Sequence, residues 1–143
     1  MIQEDKELLL KDLCARLPYN VICQVEFKED GKYNSKVMLL SGIFTDKAYF
    51  TTKGGSIYSN EYKPYLFPLS SMTSEQLFEV QEILGKNEIE IEDGFLSIID
   101  SDRNTISYLE ILALLEWFYK NHFDINGLIE KGLAIDATNL NIY

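Results

Sequence analysis

Between residues 21 and 62, short apolar stretches alternate with close turns, and this pattern constrains the fold more than any other feature of the chain. Residues 21–27 alternate apolar with polar side chains, which is the period of a strand with one buried face. Three further strand candidates follow, each after a turn rich in Gly, Asp or Lys, at 36–44, 48–52 and 57–62. The region is predicted to be an antiparallel β-meander, and its closure into a small barrel is left open.

A helix is predicted ahead of the meander, over residues 3–17. Leu9, Leu13 and Leu17 recur every four residues, so they line one side of a helix. Pro18 ends this helix because it has no N–H to donate and restricts the backbone of the residue before it.

The second half of the chain begins with a helix and a hairpin. Thr73 with Gln76 forms the sequence of a capping box, and Gly85 suits the end of the helix that follows. Residues 88–92 then alternate Glu with Ile, Asp93-Gly94 is a two-residue turn, and residues 95–99 return as the second strand.

Two C-terminal helices are predicted after the hairpin. Ser107 with Glu110 is a second capping-box sequence and opens a helix to about Phe123. Asp124 is then expected to cap a short last helix over residues 125–131.

These elements predict an α+β fold in a single domain, residues 1–143. It consists of a helix and β-meander sub-lobe (1–72) and an acidic helix, hairpin and helix sub-lobe (73–143). Apolar residues make up 46% of the chain and charged residues 25%, as in ordinary folded domains. The longest apolar run, Ile111 to Leu115, is far below the ~18 residues of a membrane-spanning helix, so no membrane association is expected.

The charge is concentrated in the second half. The chain has 23 acidic and 13 basic residues, a net charge of -10. Residues 1–74 hold 9 of each, whereas residues 75–143 hold 14 acids and 4 bases. Such a field repels phosphate backbones, so nucleic-acid binding is not expected. The acidic half is either a solvated surface or a face that binds a basic partner. In the second case it could also imitate DNA and occupy a nucleic-acid-binding protein.

The two cysteines, Cys14 and Cys23, lie on different predicted elements. The chain starts with an acidic, polar stretch, residues 1–7, which does not fit a secretory signal. Reduced thiols and a cytoplasmic location are therefore expected.

No residue pattern predicts a catalytic, cofactor or metal site. The stretch from Asp100 to Glu110 places oxygen-bearing side chains like the start of a calcium loop, but it lacks the glycine that makes the turn. It is interpreted as a polar connection to the next helix. His122, the single histidine, falls on the apolar helical stripe of Ile111, Leu115 and Phe118 and is interpreted as a packed residue that donates to a free carbonyl.

Aromatic residues supply the candidate partner-binding positions. Tyr62, Tyr65 and Phe67 belong to a dense aromatic stretch whose alternatives are strand packing and a contact surface. Trp117 falls on the polar side of its predicted helix, where it either packs under another segment or marks a contact surface.

Three stretches of the chain resemble a known group of proteins; they are residues 12–19, 63–73 and 122–134. Together they are similar to a group of small acidic proteins from phage-like and other mobile elements of gut bacteria, a group without an established activity. The chain departs from that group at Phe67, where a basic residue is expected. The resemblance implies an accessory protein of a mobile element.

The leading hypothesis is a non-enzymatic interaction or accessory protein with an unknown protein partner. Two alternatives stay open. One is an acidic, DNA-mimic-like inhibitor of a nucleic-acid-binding protein. The other is an enzyme or metal-binding protein whose site is unrecognised, with the Asp100 to Glu110 loop as ligands.

Overall fold

The fold is mixed α+β, as predicted. The computed structural model describes residues 2–44, 47–85, 88–92, 95–99 and 107–143; within the hairpin strands it describes the side chains at 90–92 and 97. The helices of this part of the chain are α1 (Gln3–Arg16), α2 (Ser74–Ile83) and α3 (Tyr108–Lys120). Its strands are β1 (Ile22–Glu29), β2 (Lys32–Phe44), β3 (Lys47–Thr52), β4 (Gly55–Ser59), β5 (Glu61–Pro68), β6 (Glu88–Glu92), β7 (Phe95–Ile99), β8 (Phe123–Asp124) and β9 (Ile135–Asp136).

A seven-stranded sheet forms the main layer of the described chain. Its order is β4-β3-β2-β1-β5-β8, and β9 also pairs with β5. The first four pairings are antiparallel, which confirms the meander, whereas β8 and β9 join β5 in parallel. The strand predicted at 57–62 is divided at Asn60, where the chain turns from β4 into β5. Strands β6 and β7 pair as the predicted hairpin, and its turn at 93–94 lies outside the described residues.

The sheet does not close into a barrel. It curls far enough for the Ser59 hydroxyl at the end of β4 to donate to the Glu26 carbonyl of β1 at 2.7 Å. However, the next strand, β5, occupies that edge of β1, with Glu26 opposite Glu61. Because β5 pairs there, β4 cannot form a ladder with β1 and remains an edge strand.

The helix starts predicted at Thr73 and Ser107 are confirmed. Thr73 and Gln76 form the capping box of α2, with hydrogen bonds of 2.9 and 3.2 Å. The Ser107 hydroxyl accepts from the Glu110 N–H at 3.2 Å and caps α3. The Glu110 carboxylate accepts from that hydroxyl at 3.1 Å instead of from the Ser107 N–H, so the predicted capping box is only half formed. Helix α3 ends at Lys120, before the predicted end at Phe123, since residue 123 already pairs with β5.

The predicted last helix over residues 125–131 is wrong, so the described residues after the hairpin contain one helix instead of two. Asp124 belongs to β8, and its carboxylate accepts from the Leu128 and Ile129 N–H groups, each at 2.9 Å. Gly127 has a φ of +70°, which interrupts a right-handed helix. The segment is therefore a turn that the Asp124 side chain holds closed.

Two apolar clusters fill the described interior. The first lies between α1 and the inner face of the sheet. The second lies among α2, α3 and β8. The largest members of the first are Leu9, Leu13, Met38, Leu40, Phe50, Leu66, Leu128 and Leu133; those of the second are Leu69, Val80, Leu84, Leu114, Phe118 and Phe123. None of the described helices is long and apolar enough to cross a membrane.

Candidate protein-interaction surface

Helix α3 is apolar on most of its circumference, and the structure selects the side that faces the core. Leu114 and Phe118 are buried, and Trp117 is half-buried beside them. The sequence pattern instead placed Ile111 and Leu115 on the buried stripe with Phe118. The helix is turned so that those two residues lie outside.

Trp117 is fixed by contacts on three sides. Its indole N–H donates to a Glu79 carboxylate oxygen on α2 at 2.9 Å. Its ring stacks on Phe123 at 5.6 Å and 11°, and the Phe118 ring meets it edge-on at 5.4 Å. A half-buried indole usually has a hydrogen-bond acceptor for its N–H and apolar contacts for its ring. Glu79 supplies the acceptor and the two phenylalanine rings supply the apolar contacts, so Trp117 packs against α2.

The outer side of α3 carries a row of exposed apolar side chains. At about 100° per residue these positions fall on one half of the helical wheel. The helix has 13 residues and is therefore about 20 Å long. The exposed fractions are 73% for Tyr108, 75% for Leu109, 41% for Ile111, 43% for Leu112 and 37% for Leu115. We call these five residues the α3 outer face, and such a contiguous apolar row is typical of an interaction surface.

The other aromatic candidates lie along β5 and pack inward. Tyr62 contacts Phe50 at 5.3 Å, and Tyr65 is buried. Phe67 lies 6.1 Å from the Phe123 ring, which is the same ring that stacks on Trp117. Phe123 therefore brings Trp117 and Phe67 into one aromatic group, whereas Tyr62 belongs to the first apolar cluster.

A buried ion pair, which was not predicted from the sequence, joins α1 to the C-terminal segment. Asp12 and Arg16 form a salt bridge with both side chains fully buried. The Arg16 guanidinium also donates to the Phe123 carbonyl at 2.7 Å, and the Asn126 amide donates to Asp12 at 2.8 Å. The signal that could have revealed it is the Asp-Arg spacing of four residues, which places both side chains on one helical face.

Cys23 and Tyr143 lie near this ion pair, and both side chains remain protonated at neutral pH. Burial raises the pKa of the Cys23 thiol. Burial also raises the pKa of Tyr143, whose hydroxyl donates to the Tyr65 carbonyl at 2.8 Å and accepts from the Ile22 N–H at 3.0 Å. Cys23 is therefore a neutral thiol at pH 7, and Tyr143 joins β1 to β5. Cys14, the other free cysteine, is exposed.

His122 stacks on Tyr143, with ring centroids 3.7 Å apart and planes 9° apart. Its Nδ1 atom is buried and has no hydrogen-bond partner in the described structure, in contrast to the predicted bond to a free carbonyl. Burial, and then the positive charge of Arg16, lower the pKa of His122 from 6.5 to about 4. The imidazole is therefore neutral at pH 7.

We expect His122 to make folding pH-dependent. Because its folded pKa lies below its unfolded pKa, the unfolded state binds the extra proton, and stability falls as the pH drops from about 6.5 to about 4. His122→Asn should remove this component, and asparagine tolerates the φ of +63° at this position. Urea unfolding of both proteins at several pH values measures the difference. Parallel curves would contradict the expectation.

The described residues contain no group of three or more His, Cys, Asp or Glu side chains that could hold a metal ion. In the Asp100 to Glu110 loop, proposed above as a possible calcium site, residues 100–106 lie outside the described part of the chain.

Comparisons of the chain with protein-family models, curated proteins and solved structures find no match. Function is therefore inferred from the molecule's own surface and packing.

Proposed function

We propose that this chain is a non-enzymatic interaction protein that binds a partner protein through the α3 outer face. The observation that supports this most directly is the row of five exposed apolar side chains on a helix whose inner side is firmly packed. Exposed leucine and tyrosine on a rigid element lose little entropy on binding and gain apolar burial. The proposal fits the accessory role in a mobile element that the resemblance implies.

The charge distribution supports a basic partner. Residues 75–143 carry 14 acids against 4 bases, and Glu116 is exposed on the same side of α3 as Leu112. A partner segment with an apolar stripe flanked by Lys or Arg would complement this charge. A second copy of the chain brings the same excess of acids, and its approach is opposed by like-charge repulsion. The proposed partner is therefore an amphipathic, basic protein segment.

A synthetic probe tests the proposal directly. An 18-residue amphipathic helical peptide with Leu on one face and Lys on its flanks should bind, and a peptide with Glu in place of Lys should bind at least about tenfold more weakly. Leu112→Asp should weaken binding of the Lys peptide by at least about tenfold, because it places a charge in the apolar contact. Isothermal titration calorimetry measures each affinity.

Leu140→Asp is the matched control, since Leu140 is 48% exposed but lies outside α3. It makes the same change in net charge and should leave the affinity unchanged. Equal affinity of Leu112→Asp and wild type would overturn the proposed surface. If affinity is also lost steeply with salt and duplex DNA competes, the result favours the DNA-mimic alternative.

A further inference from the structure

Strand β4 leaves one edge of the main sheet open. It pairs with β3 on one side, and no strand of the described chain pairs with its other side. A cleft of about 500 Å³ lies beside that free edge and is lined in part by Ser56, Ile57 and Tyr58. The edge is therefore accessible to another extended segment.

The free edge presents the backbone groups of Ser56 and Tyr58. In an antiparallel ladder, alternate residues exchange both backbone hydrogen bonds with their partners. The turn between β3 and β4 has two residues, so the Thr52–Gly55 pair beside it is hydrogen-bonded. By alternation Ile57 also bonds to β3, whereas the N–H and C=O groups of Ser56 and Tyr58 point outward. Within the described structure, these outward groups have no hydrogen-bond partner.

β4 lacks the features that usually prevent pairing at an edge. Natural edge strands are protected by charged side chains, proline or a bulge. The sequence of β4 is Gly-Ser-Ile-Tyr-Ser, and its register with β3 has no shift. At the other end of the sheet, β5 pairs with β8 and β9 and contains Pro64, which has no N–H. The sheet can therefore be extended at β4.

We propose that β4 pairs with β4 of a second copy of the chain in an antiparallel ladder. When the ladder is centred on Ile57, Ser56 of each copy lies opposite Tyr58 of the other, so all the outward groups form hydrogen bonds. A register shifted by two residues would place one of them opposite residue 54 or 60, beyond the ends of β4. The pairing uses the free β4 edge of both copies, so it closes as a two-fold symmetric dimer.

The side chains of β4 complement themselves in this register. Tyr58 is 58% exposed and lies opposite the small Ser56 of the other copy, which leaves room for its ring. The two Tyr58 rings are diagonal neighbours across the ladder, and each also contacts Tyr49 of its own copy, with ring centroids 4.8 Å apart. On the inner side, the half-buried Ile57 meets its counterpart and extends the first apolar cluster.

The charges around β4 allow a second copy to approach. Residues 55–59 are uncharged, and residues 1–74 hold 9 acids and 9 bases. Lys53, in the turn before β4, would lie about 27 Å along the ladder from Lys53 of the other copy. Charges at that distance are screened, since the Debye length is about 8 Å at physiological ionic strength. The excess of acids that opposes self-association through the α3 outer face lies in residues 75–143.

Concentration-dependent measurements test the dimer. A strand of five residues makes a small interface, so the dimer fraction should rise across protein concentrations of about 10 µM to about 1 mM. Sedimentation velocity measures this rise. Amide hydrogen exchange read by NMR locates the contact, because the Ser56 and Tyr58 amides should become protected as the concentration increases. The Ile57 amide, which bonds to β3, should be protected at every concentration.

Two variants of β4 test the pairing directly. Tyr58→Lys should weaken dimerisation at least about tenfold, because it places like charges at diagonal positions of the ladder. Ser56→Pro removes an N–H that would bond only to the other copy, and proline is tolerated where a strand faces solvent at its edge. It should also weaken dimerisation at least about tenfold. Thermal unfolding of each variant confirms that it is folded, and Tyr58→Lys decides the test if Ser56→Pro does not fold.

Tyr108→Lys is the matched control, since Tyr108 is 73% exposed and lies on α3. It makes the same change in charge and should dimerise like wild type. A protein that stays monomeric at about 1 mM, or β4 variants that dimerise like wild type, would contradict the inference. Growth beyond a dimer would contradict the two-fold pairing, and loss of association in Tyr108→Lys alone would place self-association at the α3 outer face instead. Failure at β4 leaves the proposed function unaffected, because the α3 outer face is intact in both β4 variants.

Discussion

Replacing Asp12 by alanine is expected to lower the free energy of unfolding by about 3–5 kcal/mol, the typical cost of removing one partner of a buried ion pair. The Arg16 side chain is fully buried and would lose its counter-charge. The Asn126 amide would lose its acceptor as well. The Phe123 carbonyl, which accepts from Arg16 at 2.7 Å, cannot neutralise the guanidinium. Urea unfolding followed by circular dichroism measures the loss.

Asp5→Ala is the matched control. Asp5 forms the exposed ion pair with Lys131 at 3.4 Å, and the Lys131 side chain is 50% exposed. Its removal should cost less than about 1 kcal/mol, since solvent screens the pair. Equal losses in the two variants would refute the importance of the buried pair. The double variant Asp12→Leu/Arg16→Met should recover much of the loss, because it removes both charges and fills the space.

Leu114→Ala is expected to cost about 2–5 kcal/mol, because it opens a cavity in a packed cluster. Leu114 is 4% exposed and packs in the cluster that contains Val80 and Phe118. Leu112→Ala makes the same chemical change on the same helix, where Leu112 is 43% exposed. It should change stability by no more than about 0.5 kcal/mol.

This matched pair also tests how α3 is turned, on which the proposed binding surface depends. Thermal unfolding of both variants, read by calorimetry, gives the comparison. If Leu112→Ala is as destabilising as Leu114→Ala, the outer face is covered in the folded molecule. It would then be unavailable to a partner.

The elements with short-range signals were predictable from the sequence. The Thr73 capping box fixes the start of α2 because its two hydrogen bonds need residues three positions apart. The alternation at 88–92 fixes β6 because only a strand places both isoleucines on one face. These signals lie within a few residues of the elements that they specify.

Strands β8 and β9 have two residues each and could not be predicted. Phe123 pairs with Phe67, and Ile135 pairs with Tyr65. A two-residue strand has no periodicity, so its existence depends on a distant edge that becomes available only in the folded state. The unpaired edge of β5 therefore determines the path of residues 123–136.

The local sequence pattern also could not predict which side of α3 faces the core. Apolar residues lie all round α3, from Leu109 and Leu112 on one side to Trp117 and Phe118 on the other, so apolar periodicity alone does not fix which stripe is buried. The choice depends on the acceptor that Glu79 offers to Trp117 and on the flat ring of Phe123. The burial of Asp12 was not predicted either. A single charged residue is expected on the surface, and Asp12 is buried only because Arg16 forms an ion pair with it.

The guanidinium of Arg16 and its carbonyl partner at Phe123 are separated by 107 positions, and Ile22 and the Tyr143 hydroxyl by 121. During synthesis the N-terminal helix and the hairpins leave the ribosome well before these late partners exist. A nascent chain can therefore form its local turns early. However, the Arg16 guanidinium cannot be buried with its hydrogen bond to the Phe123 carbonyl until the chain beyond residue 123 has emerged. Completion of this fold is consequently a late step for each new molecule, and a truncation that removes Tyr143 takes away the hydroxyl that joins β1 to β5.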